Sequence, residues 1–274
     1  MVTINNLSFS YGRKEVLSGI DLTLQEGRII GLLGENGVGK TTLLTLLCGL
    51  KAPAVGEILT DGRHPFDRQP SLLADQFYLP DEVAPLRMTA AAFGRSRTGF
   101  WPNFTFNKYL DLLKELEVNP DDRMDQMSSG QLKKTWIAFA LACRVKYYYM
   151  DEPTNGLDIP SKAQFRKLLA RETAGDSVVV ISTHQVRDLE DIIDTIVILE
   201  AKQVAVNATL DTLGKAFRFE YSDTVSPASL YNEMVPGGII QVLPNPEGLE
   251  TKVNIEAFFN ALHRNREAVL KLLK

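Results

Sequence analysis

The run Gly34-Glu35-Asn36-Gly37-Val38-Gly39-Lys40-Thr41 constrains this chain more than any other stretch of it. It follows RIIGLL (28–33), which after its first residue is apolar throughout, as a strand covered on both faces is. It precedes residues 40–50, whose apolar spacing predicts a helix that stops near Gly49 and Pro53. A strand, a glycine-rich turn and a helix in that order form a cradle for phosphate. The glycines let the backbone curl until successive N–H groups face phosphate oxygens, and the helix N-terminus adds positive potential. Lys40 brings a mobile charge to the β- and γ-phosphates of a nucleotide, and the Thr41 hydroxyl is a ligand for Mg²⁺. The candidate nucleotide contacts are therefore Gly34, Glu35, Asn36, Gly37, Val38, Gly39, Lys40, Thr41 and the adjoining Thr42.

The rest of the pattern says what surrounds this loop. Residues 1–27 alternate apolar and polar positions around Tyr11-Gly12-Arg13-Lys14, the signature of antiparallel strands joined by a turn. From 128 onward helices (131–143, 161–173, 185–193) alternate with buried strands (145–150, 177–182, 195–200), which predicts parallel strands joined by right-handed crossovers. Between them, about 77–140 reads as a helical insertion, with Phe106, Leu110, Leu113 and Leu116 marking one helix face. After residue 219 the character changes. Pro236-Gly237-Gly238 and Pro244-Asn245-Pro246 punctuate a weak strand pattern, and a helix starts near Ile255. The expected fold is thus α/β: a phosphate-loop core (1–219) with an antiparallel β subdomain and a helical insertion, followed by a small α+β extension (220–274).

A second chemical signal closes the strand at 145–150. Tyr147-Tyr148-Tyr149-Met150 runs into Asp151-Glu152, which puts two carboxylates at the carboxyl edge of the sheet, where open α/β folds bind ligands. Asp151 is placed to hold Mg²⁺ through water, and Glu152 to orient or deprotonate the water attacking a γ-phosphate. Ser128-Ser129-Gly130 open another apolar helix, a second set of N–H groups suited to an anion.

Taken together, the motifs resemble the ATP-binding cassette (ABC) family of ATPases across about residues 2–210. The family order is matched by the 34–41 loop, Met127-Ser128-Ser129-Gly130-Gln131, Asp151-Glu152-Pro153-Thr154, Asn155-Gly156-Leu157-Asp158 and Ser182-Thr183-His184. The family signature is usually Leu-Ser-Gly-Gly-Gln, so this copy departs at Met127 and Ser129. The resemblance implies that Tyr11 stacks on adenine, that His184 contacts the γ-phosphate and steadies the attacking water, and that Glu152 is the base. It also implies a head-to-tail dimer, homo- or heteromeric, in which Ser128, Ser129, Gly130 and Gln131 read the ATP held by the partner chain and Asp158 lies at the shared boundary. Where most cassettes carry a glutamine after the strand 77–80, this chain has Asp81, a candidate metal ligand beside Thr41 and Asp151.

Composition narrows the function. A net charge of -4 argues against broad binding to nucleic acid. No apolar run reaches the ~18 residues of a membrane span, and the N-terminus lacks a signal-peptide pattern. Cys48 and Cys143 sit in apolar helix-like stretches and suit buried thiols in a reducing compartment. With these features, the resemblance implies an ATP-hydrolysing subunit at the cytoplasmic face of the cell membrane, powering a separate transmembrane permease. The helix Ile255-Glu256-Ala257-Phe258-Phe259 resembles exporter tails. The other readings are a soluble cassette ATPase acting on nucleic acid or ribosomes, and a sensor that binds nucleotide without turnover. The first is disfavoured by the single cassette and acidic balance, the second by the presence of both Glu152 and His184. Phe93, Phe100, Trp101 and Phe104, near Arg95 and Arg97, fall where the family receives a helix from its membrane subunit, and at least two of them are expected to be exposed.

Overall fold

The computed structural model describes residues 1–173 and 175–273. The N-terminal half contains β1 (Val2–Tyr11), β2 (Lys14–Leu24), β3 (Arg28–Leu33), α1 (Lys40–Leu47), β4 (Val55–Thr60), α2 (Pro70–Ala74) and β5 (Gln76–Leu79). Then follow α3 (Ala90–Arg97), α4 (Phe106–Glu115), α5 (Ser129–Ala142), β6 (Tyr147–Asp151), α6 (Ile159–Glu172), β7 (Val178–Ser182), β8 (Thr195–Glu200) and β9 (Gln203–Thr209). The chain ends with α7 (Leu210–Ala216), β10 (Phe217–Ser222), β11 (Tyr231–Val235), β12 (Gly238–Pro244), α8 (Ile255–Arg264) and α9 (Arg266–Leu272).

The main sheet has six strands in the order β5-β6-β7-β3-β8-β9. Its first five strands run parallel, and β9 closes the edge antiparallel to β8. Strand alternation divides the core in two. Tyr147, Tyr149, Val178 and Val180 pack with Leu43, Leu44 and Leu47 of α1 and with the antiparallel sheet β2-β1-β4. Tyr148, Met150, Val179 and Ile181 face the opposite way, into the core built on α4, α5 and α6. Two faces covered at once explain why these strands are apolar without a break. Every parallel strand presents its carboxyl end to one edge, and the loops after β3, β5, β6 and β7 gather there.

Between β5 and β6 the chain is helical. α4 buries Tyr109, Leu112, Leu113 and the following Leu116, a face rotated from the predicted one, since Phe106 and Leu110 are only partly covered. The rotation follows Phe139 of α5, whose ring lies 4.6–5.9 Å from Phe77, Phe93, Trp101, Phe104 and Tyr109. This aromatic hub also corrects the exposure expected of the cluster at 93–104. Phe93 and Phe104 are buried and Trp101 is partly covered with its Nε1 donating to the Gln76 carbonyl at 3.2 Å. Phe100 alone of the four is exposed, at 62%. The strand Gln76–Leu79 belongs to the main sheet, so the helical segment starts after it and not at 77.

Two further segments differ from expectation. Residues 185–193 contain only a short 3-10 turn, Val186–Asp188. Their acidic side chains are taken by tertiary partners: Asp188 accepts from Lys162 at 2.7 Å, and Glu190 accepts from the N–H of Ile255. The C-terminal helix is two helices, broken at Asn265, where φ is −138°. The three-stranded sheet β10-β12-β11 begins at Phe217, and α8 packs on it through Phe217 and Phe258, with ring centroids 5.3 Å apart. Both cysteines are buried thiols, and burial pushes Cys48 up to about 11.

Candidate functional site

The loop after β3 turns into α1 as its glycines require. Gly34 has φ +148° and Gly39 +117°, and a Cβ on Gly34 would meet the Leu199 carbonyl oxygen at 2.6 Å. Only glycine permits that approach. Lys40 follows at the helix start, nearly buried, with Nζ donating to the Gly34 carbonyl at 2.7 Å and the Glu35 carbonyl at 3.1 Å. Its ammonium is thus held over the mouth of its own loop. Burial pulls its pKa below the ordinary lysine value, and Glu152 and Asp151 oppose that shift.

Strand β6 runs into both acids, and β7 supplies the serine that holds them. Asp151 is buried; its Oδ2 accepts from the Thr41 hydroxyl at 2.6 Å and its Oδ1 from the Ser182 hydroxyl. Thr41 and Asp151, far apart in sequence, are therefore one cluster of hard oxygen donors. Glu152 stands in a left-handed conformation (φ +45°), uncommon for a residue with a side chain. Its N–H donates to the carbonyl and the hydroxyl of Ser182, both at 3.1 Å, and its Oε1 lies 2.8 Å from His184 Nδ1. Strain of this kind is kept where surroundings over-determine the backbone, and here it turns the Glu152 carboxylate toward the histidine.

Tyr11, 47% exposed, ends β1 with its hydroxyl 3.4 Å from that of Thr42 and its ring 4.9 Å from Lys51 Nζ. It borders a cleft of about 580 Å³ lined also by Asn36, Gly37, Gly39, Lys40, Thr41, Thr42, Asp81, Asp151, Glu152, Asn155 and His184. Glu35 and Val38 lie on the far side of the loop, with Val38 N–H donating to Glu35 O at 3.3 Å. Asp81 reaches the cleft rim, where its Oδ1 accepts from Asn155 Nδ2 at 3.1 Å. Gln76 is at the other end of β5, buried, donating to the Cys48 carbonyl.

The Ser128 segment forms a separate cleft of about 310 Å³ with Ser129, Gly130, Gln131, Lys134, Gly156, Leu157, Asp158 and Ser161. Ser128 caps α5 in a reciprocal box: its hydroxyl accepts from Gln131 N–H, and its own N–H donates to Gln131 Oε1 at 3.1 Å. That bond engages one of the N–H groups expected to read an anion. The N–H groups of Ser129 and Gly130 are left in the first turn without intrahelical acceptors. Asp158 caps α6 through Ser161 N–H at 2.9 Å, and hydrogen bonding from the Ser161 hydroxyl, then from its N–H, lowers its pKa. His64 is exposed, and His263 lies 3.7 Å from Glu200, so neither joins the site.

Sequence reasoning assigned no role to Lys133, Asn155 or Ser182. A signal for Lys133 existed. It shares a helix face with Ile137 and Ala140, both fully buried, and a lysine on an apolar stripe is held there by partners.

A family model described as ABC transporter matches residues 17–155. The aliphatic sulfonates import ATP-binding protein of Nocardia farcinica is 31% identical over 215 residues, covering 76% of this chain and 82% of that one. The SkfA peptide export ATP-binding protein of Bacillus subtilis is 32% identical over 208 residues, covering 73% and 85%. Among solved structures, an ATP-binding subunit of an ABC transporter superposes with a TM-score of 0.71 at 24% identity, over 77% of this chain and 90% of the other. A dimeric ATP-binding cassette in a post-hydrolysis state with ADP and Pi gives 0.67 at 23% identity, over 77% and 99%. The family match over residues 17–155, with relatives above 30% identity over most of both chains, settles the family: the chain belongs to the ABC transporters, as an ATP-binding and ATP-hydrolysing cassette that powers membrane transport.

Proposed function

We propose that two cassettes close head to tail on ATP, each nucleotide lying between the phosphate loop of one chain and the Ser128–Gln131 segment of the other. The observation that carries this reading is the separation of two anion-reading helix starts into two clefts on one chain. The two clefts share no lining residue. In this arrangement Tyr11 stacks on adenine, Lys40 and the loop N–H groups hold the β- and γ-phosphates, and Asp158 meets the partner at the boundary. Glu152 accepts the proton of the attacking water as its oxygen bonds to the γ-phosphorus and ADP departs. His184, hydrogen-bonded to Glu152, steadies the γ-phosphate.

The donor chemistry fits Mg²⁺. Among the described residues no group of three or more His, Cys, Asp and Glu could hold a metal. One carboxylate and one hydroxyl, Asp151 and Thr41, suit an ion held jointly with substrate phosphates. When bound, Mg²⁺ neutralises the charge of the phosphates. We also place Asp81 within its reach, because it borders the same cleft as Thr41 and Asp151. Asp81→Ala is then expected to raise the Mg²⁺ needed for half-maximal ATPase by about 3- to 10-fold, equivalent to up to about 1.4 kcal/mol. Asp81→Gln is expected to restore family-like behaviour. Titration of Mg²⁺ against rate for the three forms decides this, and superimposable curves remove Asp81 from the metal's surroundings.

The partner of the dimer is a transmembrane permease, with the chain peripheral at the inner membrane face. No helix of the described residues is long and apolar enough to cross a membrane. Phe100 is the exposed aromatic of the 93–104 segment and the one available for docking, while Arg95 and Arg97 lie over the rings of Phe106 and Phe93. The export direction rests on the C-terminal tail; across the cassette, import and export proteins match about equally well. Co-expression with a polytopic membrane protein encoded beside the gene tests the assignment. The chain should copurify in the membrane fraction and hydrolyse ATP faster in proteoliposomes than alone. A chain that stays out of the membrane fraction, with an unchanged rate, would refute the partnership.

A further inference from the structure

We propose that Lys133, one turn into α5, is a positioning residue that holds the Glu152 loop and the Asp81 loop in register for hydrolysis. Lys133 is 4% exposed, and its ammonium donates to three main-chain carbonyls in two loops. Asp81 O is the nearest, and Pro80 O and Glu152 O each lie at 3.4 Å. The Asp81 carboxylate lies 3.6 Å from the same nitrogen. An ammonium in the interior is costly unless paired and hydrogen-bonded. The acceptors here come from the loops after β5 and β6, so satisfying the charge fixes these loops to each other.

The consequence reaches the attacking-water side of the site. The carbonyl held by Lys133 belongs to Glu152 itself, whose φ of +45° aims the side chain at His184. Asn155 reinforces the join, since its N–H donates to Glu152 O at 3.1 Å and its side chain donates to Asp81 Oδ1 at 3.1 Å. Burial lowers the Lys133 pKa, and Asp81 foremost, then Asp151 and Glu152, act against that. Because α5 starts at Ser128–Gly130, the lysine also ties the segment that reads the partner's nucleotide to the base acting on the chain's own nucleotide.

This inference rests on the reading of Glu152 as the base, and a double-mutant cycle separates the two. Lys133→Met keeps the stem and removes the charge. The displacement of Glu152 is expected to lower kcat for ATP by about 10- to 100-fold, the scale of a misplaced catalytic group. The Kd for ATP, measured by equilibrium titration, should stay within about twofold because Lys133 does not touch the nucleotide cleft. In the Glu152→Gln background Lys133→Met should cost much less, since the part of its effect that runs through the base is already lost. Lys133→Gln, which keeps an amide donor, should fall between wild type and Lys133→Met, and it provides the same cycle if the apolar variant does not fold. An unchanged kcat, or an equal fold-loss with and without Glu152, overturns the role of Lys133. Full turnover in Glu152→Gln alone overturns the reading of the base instead.

Discussion

Glu152→Gln is expected to lower kcat for ATP hydrolysis by about 10²- to 10⁴-fold, the usual size of a general-base effect, with ATP affinity preserved. The amide has the shape of the carboxylate but cannot take a proton from water. The proposed phosphate contacts, the loop N–H groups and Lys40, lie on the turn into α1 and not on the strand end that carries Glu152. The contact with His184 at 2.8 Å can still be made by the amide oxygen, so the histidine keeps its orientation. ATP-bound dimers should accumulate because closure proceeds and hydrolysis does not. Single-turnover kinetics with size-exclusion chromatography in Mg-ATP check both parts. A Glu152→Gln chain that turns over at the wild-type rate would remove Glu152 from the chemistry.

Lys40→Ala is expected to weaken ATP binding by about 10²-fold or more, since a hydrogen bond to a charged group is worth up to about 3 kcal/mol and each 1.4 kcal/mol is about tenfold. The fold should survive. Among the described residues Lys40 Nζ donates only to the carbonyls of Gly34 and Glu35 in its own loop, and the turn is shaped by glycines with positive φ. Alanine is also a better helix former at the first position of α1. The loss therefore falls on the ligand. Titration with a fluorescent ATP analogue, beside thermal unfolding without nucleotide, separates the two effects. A Kd within threefold of wild type would contradict the placement of the ammonium over the phosphates.

The two predictions differ in how visible their residues were. Lys40 lies in a loop whose function is local: strand, glycines and helix are contiguous, and the chain needs no distant partner to form the cradle. Asp151 and Glu152 were legible as a strand end, because an apolar run stopping at two carboxylates has few other places to go. The geometry of Glu152 was not. Its left-handed backbone depends on Ser182, His184 and Lys133, residues brought together by the parallel pairing of β6 with β7 and by the packing of α5. The 3-10 turn at 186–188 was missed for a related reason. Helical spacing was present, but Asp188 and Glu190 are bonded to Lys162 and Ile255, and tertiary bonds outweighed a weak local preference.

The aromatic segment at 93–104 marks the same boundary. Its composition suits an exposed docking patch or a core equally well, since Phe and Trp favour both. Phe139, more than thirty residues downstream, decided the matter by drawing Phe93, Trp101 and Phe104 inward and leaving Phe100 outside. By itself, then, the sequence determined the α/β alternation, the phosphate cradle, the acidic strand end and the order of motifs, all of which follow from neighbours within a few turns of chain. Only the tertiary structure decided which face of each helix is buried, how Glu152 is aimed, and that a lysine on the signature helix ties two loops of the site. Those outcomes depend on contacts between segments distant in sequence, and the energies of such contacts are not written in the periodicity of any one segment.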